Sequence, residues 1–123
     1  MTREEIVAGL TVAYAVARVD GFADEEAATL MKEIKSFKFA KDPAEVQDVI
    51  DRYNRMSTLE AINIISQANE AARKEVHALL IFTLLADGEI SVKEEGAYAL
   101  MQNILNLPVV PTYDEAKEIL GFE

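Results

Sequence analysis

Residues 84–95 read LLADGEISVKEE, and this stretch decides the fold. An apolar run stops at Asp87-Gly88, and a new helix starts at Ser91, because Ser91-Val92-Lys93-Glu94 has the Ser-x-x-Glu form of a capping box. Residues 16–27, VARVDGFADEEA, are a looser copy: Asp20-Gly21 closes one apolar helix and Asp24 stands ready to cap the next. The two Asp-Gly pairs lie 87 − 20 = 67 residues apart. Together they predict an internal repeat of helix, tight acidic turn and helix.

The rest of the chain fills in around that repeat. A first helix is expected from about residue 4 to residue 19, with Ile6, Leu10, Ala13, Tyr14 and Ala17 at helical spacing and Val7, Val12, Val16 and Val19 widening the stripe. Asp24 opens a second helix with Leu30, Met31, Ile34 and Phe37 inward. Asp42-Pro43-Ala44-Glu45 supplies an N-cap, a proline in the first turn and a glutamate at the third position for a helix that turns Val46, Val49, Ile50 and Tyr53 inward. Ser57-Thr58-Leu59-Glu60 opens a fourth helix, with Leu59, Ile62 and Ile65 apolar, and Asn69 caps a fifth. That fifth helix is apolar around much of its girth, through Val76, Leu79, Leu80, Ile81, Phe82, Thr83, Leu84 and Leu85, and is the expected centre of the bundle. After Ser91 the stripe Tyr98, Met101, Ile104 and Leu105 runs to Pro108 and Pro111, and Thr112 opens a short last helix through Ile119 and Leu120. Residues 106–123 lie outside the repeat and either cap the bundle or cover a partner surface. No period-2 alternation of useful length occurs. The expectation is one all-α domain over residues 1–123, a compact bundle of about seven helices.

Composition removes several functions. The chain of 123 residues has no cysteine, so it carries no disulfide framework, thiolate nucleophile or cysteine-based metal centre. Its 22 acidic against 12 basic residues leave a net charge of −10, a field that repels phosphate backbones and anionic lipid, so nucleic acid is not an expected partner. Lys32, Lys35, Lys38 and Lys41 form the one basic cluster, and they suit the negative end of a helix dipole. Arg3, Glu4 and Glu5 at the start do not resemble a secretory signal, and the longest apolar run, residues 76–86, is far short of the ~20 residues that span a bilayer. A cytoplasmic protein without direct membrane insertion is expected.

The acidic turns are the candidate site. Residues 87–94 match the second half of an EF-hand loop: Asp87 and Gly88 adjacent, Ile90 two residues after the glycine, and Glu94 seven after the aspartate. The first half is missing, because Thr83 and Leu85 stand where oxygen ligands would fall. One turn offers about four oxygens, whereas calcium takes roughly six to eight. The first turn supplies the deficit if the repeat folds so that the two turns meet, adding Asp20, Asp24 and Glu26 to Asp87 and Glu94. The competing reading needs no metal: each aspartate satisfies amides in its own turn, and Glu94 completes a capping box.

The duplicated turn, Val19-Asp20-Gly21-Phe22 and Ala86-Asp87-Gly88-Glu89-Ile90-Ser91 followed by Glu94, resembles the tellurite-resistance TerB-like family, whose pattern is an Ala-Asp-Gly turn with a glutamate seven residues on. The similarity covers roughly residues 3–107. The first turn departs from the pattern, with Val19 in place of alanine and Ala27 where the glutamate falls, Glu26 being one position early. The resemblance implies an all-helical fold whose halves are related by a pseudo-twofold, and divalent-cation binding near the turns, by Ca2+ or another ion. It also implies a stress-response role exercised through other proteins rather than by catalysis. Similar domains occur in membrane-anchored co-chaperones of the DnaJ type.

No reaction is written in the residues themselves. His77, the one histidine, stands 87 − 77 = 10 residues before Asp87, about 15 Å along a helix, and its setting predicts a partly buried helix residue rather than a ligand or a triad base. There is no Gly-rich phosphate loop. Two alternatives to a cation-binding partner protein stay open: a metal-independent interaction module, and a metal-dependent hydrolase built on carboxylate pairs. Met31, Met56 and Met101 suit gap-filling in the core, and the hydroxyls of Tyr14 and Tyr98 are expected to find partners at the acidic end.

Overall fold

A computed structural model describes residues 2–20, 42–85, 91–108 and 112–120. Six α-helices fall among them: α1 (Arg3–Ala17), α2 (Pro43–Arg55), α3 (Thr58–Ser66), α4 (Glu70–Leu85), α5 (Val92–Leu105) and α6 (Tyr113–Ile119), with a single 3-10 turn, Arg18–Asp20, closing α1. The described chain is helical, without a strand, and packs as a compact bundle. The helix expected after Asp24 and the lysine cluster lie outside the described residues.

Each described helix starts where a side chain can take up its orphan amides. Asp42 accepts from the Glu45 N–H at 2.9 Å, Asn69 from the Ala72 N–H at 2.8 Å, and Ser57, Ser91 and Thr112 from the amides three residues on. The Ser57 box is only half formed, since the Glu60 carboxylate accepts from the Ser57 hydroxyl rather than from its backbone amide. Sequence reading missed one cap: Thr2 and Glu5 form a complete capping box that starts α1 at Arg3. That helix also ends earlier than expected, at Ala17, and the chain tightens into the 3-10 turn.

α1 and α4 form the spine. Every residue of α1 from 7 to 14 is buried, because α2, α3, α4 and α5 all pack against it. α4 carries a buried run over residues 76–80 and packs on α1, α3, α5 and α6, so the centre is a helix pair rather than the fifth expected helix alone. Two clusters divide the core. One joins Val7, Leu10 and Tyr14 to Val46, Val49, Leu79, Ala116 and Leu120; the other joins Ala8, Val12 and Val16 to Ile65, Leu80, Leu84 and Leu105. α6 therefore caps the bundle, settling in favour of packing the role expected of the C-terminal segment. Met56 and Met101 lie partly buried against these clusters, as gap-fillers do.

Three expected core residues face outward instead. Leu59 is 79% exposed at the first turn of α3, where Ala61 and Ile65 take the inner positions. Ile104 and Val19 are also exposed. Periodicity marks the apolar width of a helix but not how much of that width neighbours cover.

Candidate functional site

The second acidic turn is described from its exit. Ser91 is the N-cap of α5, and its hydroxyl accepts from the Glu94 N–H at 3.1 Å while Oε1 of Glu94 accepts from the Ser91 N–H at 3.2 Å. The reciprocal pair fixes the Glu94 side chain, half-buried, at the positive end of the α5 dipole. This is the cap-based account of Glu94, realised in full. Asp24, Glu26 and Asp87 lie outside the described residues, and Asp20 is described by its backbone alone, as the last residue of the 3-10 turn.

The approach to the first turn is held by α1 itself. The C-cap Arg18 sends its backbone N–H to carbonyls of the last turn, and its Nε donates to the Tyr14 carbonyl at 3.2 Å. The 3-10 turn packs against α5, so the segment that enters the first acidic turn lies beside the helix that leaves the second. Among the described residues, no three histidine, aspartate or glutamate side chains converge into a group able to hold a metal ion.

The tightest polar cluster lies elsewhere, at a residue that the sequence marks only as a histidine inside an apolar run. His77 on α4 is 1% exposed. Its Nδ1 meets the Pro108 carbonyl at 2.6 Å, and since a carbonyl only accepts, Nδ1 carries the hydrogen. Nε2 is then the acceptor for the Tyr98 hydroxyl on α5. Burial lowers the imidazole below its ordinary pKa, opposed in part by the Pro108 bond, and burial raises the Tyr98 phenol above its ordinary value. Both groups are neutral near pH 7, and the hydrogen bond between them ties α4 to α5. The Tyr98 hydroxyl thus finds a histidine, not the acidic end expected for it. Tyr14 sets its ring edge-on to Tyr53, with centroids 6.0 Å apart.

Two open clefts accompany these features. One of about 200 Å³ is lined by Glu4, Val7, Arg52, Arg55, Met56 and Glu60; the other, about 320 Å³, lies between the starts of α1 and α4 against Thr2, Glu5, Asn69 and Glu75. Neither is lined by Glu94.

No family model matches the chain, and no curated protein matches it. Among solved structures it is similar to a protein of unknown function, PG1108 from Porphyromonas gingivalis W83, with a TM-score of 0.75 and 20% identity over 98% of this chain and 90% of that one. At that identity the likeness shows the fold alone. The arrangement of helices is one found in another protein of similar size.

Among the described residues no helix is long and apolar enough to cross a membrane. Val92 is 87% exposed on α5, where Leu100 and Ile104 are also exposed, and Val19 in the adjoining 3-10 turn is exposed as well. Sequence reading placed Ile104 in the core and did not single out the exposed apolar residues of α5; the signal available was that Val92 and Leu100 lie outside the stripe of Tyr98, Met101, Ile104 and Leu105.

Proposed function

We propose that this chain is a TerB-like, non-enzymatic stress-response protein of the cytoplasm, related to tellurite resistance. On this reading it is a seven-helix bundle whose duplicated acidic turns weakly bind one divalent cation, Ca2+ or another, and which acts through other proteins. Asp20, Asp87 and Glu94 are the leading ligands, with Asp24 and Glu26 in support. The observation that carries the reading is the packing of the 3-10 turn ending at Asp20 against α5, the helix that begins at the second turn. A ligand set split between two turns needs that adjacency, since each turn alone is short of oxygens. Glu94 adds to it: the capping box occupies Oε1 and orients the carboxylate without neutralising it.

Partner binding has its own support in the outer face of α5. Val92, Leu100 and Ile104 are all exposed on this one helix, and apolar side chains left on an outer helix face suit contact with another protein. A metal-independent interaction module is the second reading, favoured by the complete capping box, which accounts for Glu94 with no ion present.

Calorimetric titration with Ca2+ and with Mg2+, followed by melting of the loaded protein, separates the two. Cation binding predicts heat with at least one ion and a raised melting temperature, both lost in the Asp20→Asn/Asp87→Asn double variant. No heat and an unchanged melting temperature remove the cation from the account and leave the interaction module.

A further inference from the structure

α4 holds the chain that leaves α5 at two points one helical turn apart. Arg73 donates to the Asn106 carbonyl at 2.7 Å, and the His77 Nδ1–H donates to the Pro108 carbonyl at 2.6 Å. Between these anchors Asn106 adopts the left-handed conformation, with φ 49° and ψ 53°, and Leu107 turns into the core. His77 also accepts from Tyr98, so one imidazole joins α4, α5 and the connection toward α6. Beyond the connection, α6 is held on α4 through Ala116 and Leu120 packed with Ala78 and Leu79.

This arrangement suits only a neutral ring. A protonated imidazole carries hydrogens on both nitrogens. Pro108 still accepts one of them, but the other points at a hydroxyl that must swing its own hydrogen away and lose its acceptor. The added charge also sits on a residue almost wholly removed from water. The groups packed around it offer no compensation. From α5 the facing group is the neutral Tyr98; on α4 itself, Arg73 lies one turn away and is a fixed cation. α1 brings the apolar positions Ala8, Val12 and Val16 to this side of the core, and α3 brings Ala61 and Ile65. The ionisable residues of α6, namely Asp114, Glu115, Lys117 and Glu118, make no hydrogen bond or ion pair with the ring, and among the described residues no carboxylate does.

We propose that His77 is an acid-sensitive latch: neutral, it pins residues 106–108 and through them seats α6 on the bundle; protonated, it lets that C-terminal closure open while the α1–α4 spine stays folded. Opening uncovers the side of α4 that carries Ala78 and Leu79, the apolar surface now beneath α6. The direction of the linkage follows from burial. Because the folded pKa lies below the ordinary 6.5, the closed form binds fewer protons than the released one, so the contribution of the latch is complete above pH ~6.5 and is lost as pH falls through the lowered value. That window begins above the range in which ordinary carboxylates titrate, around pH 4.

The test is site-resolved hydrogen exchange on the full chain at pH 7.5 and pH 5, corrected for the intrinsic pH dependence of exchange. Protection of amides in residues 106–120 should be lost at pH 5 relative to amides in residues 7–14, because the released form binds the proton more tightly than the closed one. In His77→Gln the amide can donate to Pro108 and accept from Tyr98 without titrating, so the relative protection should stay flat. Tyr98→Phe removes the hydrogen bond that favours the neutral ring, so the folded pKa moves toward that of the released form and the loss of protection should shrink. A flat wild-type ratio overturns the proposal, as does a uniform loss of protection in every helix. Should His77→Gln fail to fold, Tyr98→Phe decides alone, and an undiminished loss of protection overturns the latch.

Discussion

The two sides of α4 hold the bundle together by different means. Toward α1 the contact is apolar and close: Gly9 lets the helices approach so nearly that a β-carbon there would sit 3.3 Å from Leu79 Cδ2 and 3.4 Å from Val76 Cγ2. Toward α5 the apolar packing of Leu80 and Leu84 with Leu105 is joined by a polar tie, through His77, Tyr98 and the Pro108 carbonyl. Burial of hydrocarbon is indifferent to protons, whereas a hydrogen-bonded imidazole holds only in one protonation state. The same helix therefore contributes a permanent seam and a conditional one.

The largest effect should come from breaking the permanent seam. Leu79 is fully buried, and Leu79→Ala should cost about 2–5 kcal/mol in urea denaturation at pH 7.5. Next comes the close approach itself. Gly9→Val should lower stability by about 1–3 kcal/mol through overpacking, although valine favours a helix over glycine. The control is Gly96 on the open face of α5, where a β-carbon would meet nothing within 4 Å; Gly96→Ala should raise stability by up to about 1 kcal/mol. On the conditional side, the melting temperature of the wild-type protein should fall as pH drops from 7.5 toward 5, and His77→Gln should lessen that fall. The smallest change is at the exit of the second acidic turn, where Ser91→Ala should cost about 1 kcal/mol by leaving the α5 amides uncapped.

The helices were legible because their signals are local. Asp42, Ser57, Asn69, Ser91 and Thr112 each bond to an amide three residues on, a relation that a short stretch of sequence contains whole. Contacts between helices were legible only in part. The apolar stripe of α3 is real, yet Leu59 faces solvent, because which edge of a stripe is covered depends on where the next helix crosses it. The tie between His77 and Tyr98 was not legible at all, for it joins residues 98 − 77 = 21 apart through the packing of two helices. Of the candidate site, the capping role of Glu94 was legible from the Ser91-x-x-Glu94 spacing; Asp24, Glu26 and Asp87 lie outside the described residues, and whether two turns meet is decided by packing, which no spacing expresses.

A shared site can be tested directly. A Ca2+ titration of isotopically labelled protein, followed amide by amide, reports both turns in one experiment. If two incomplete acidic corners share one ion, the resonances of residues 20–27 and 87–94 shift together along a single binding curve, and neither set responds in Asp87→Asn. Shifts confined to one turn, two separate curves, or no shift at millimolar Ca2+, the weak end of the range for protein calcium sites, would contradict the shared site.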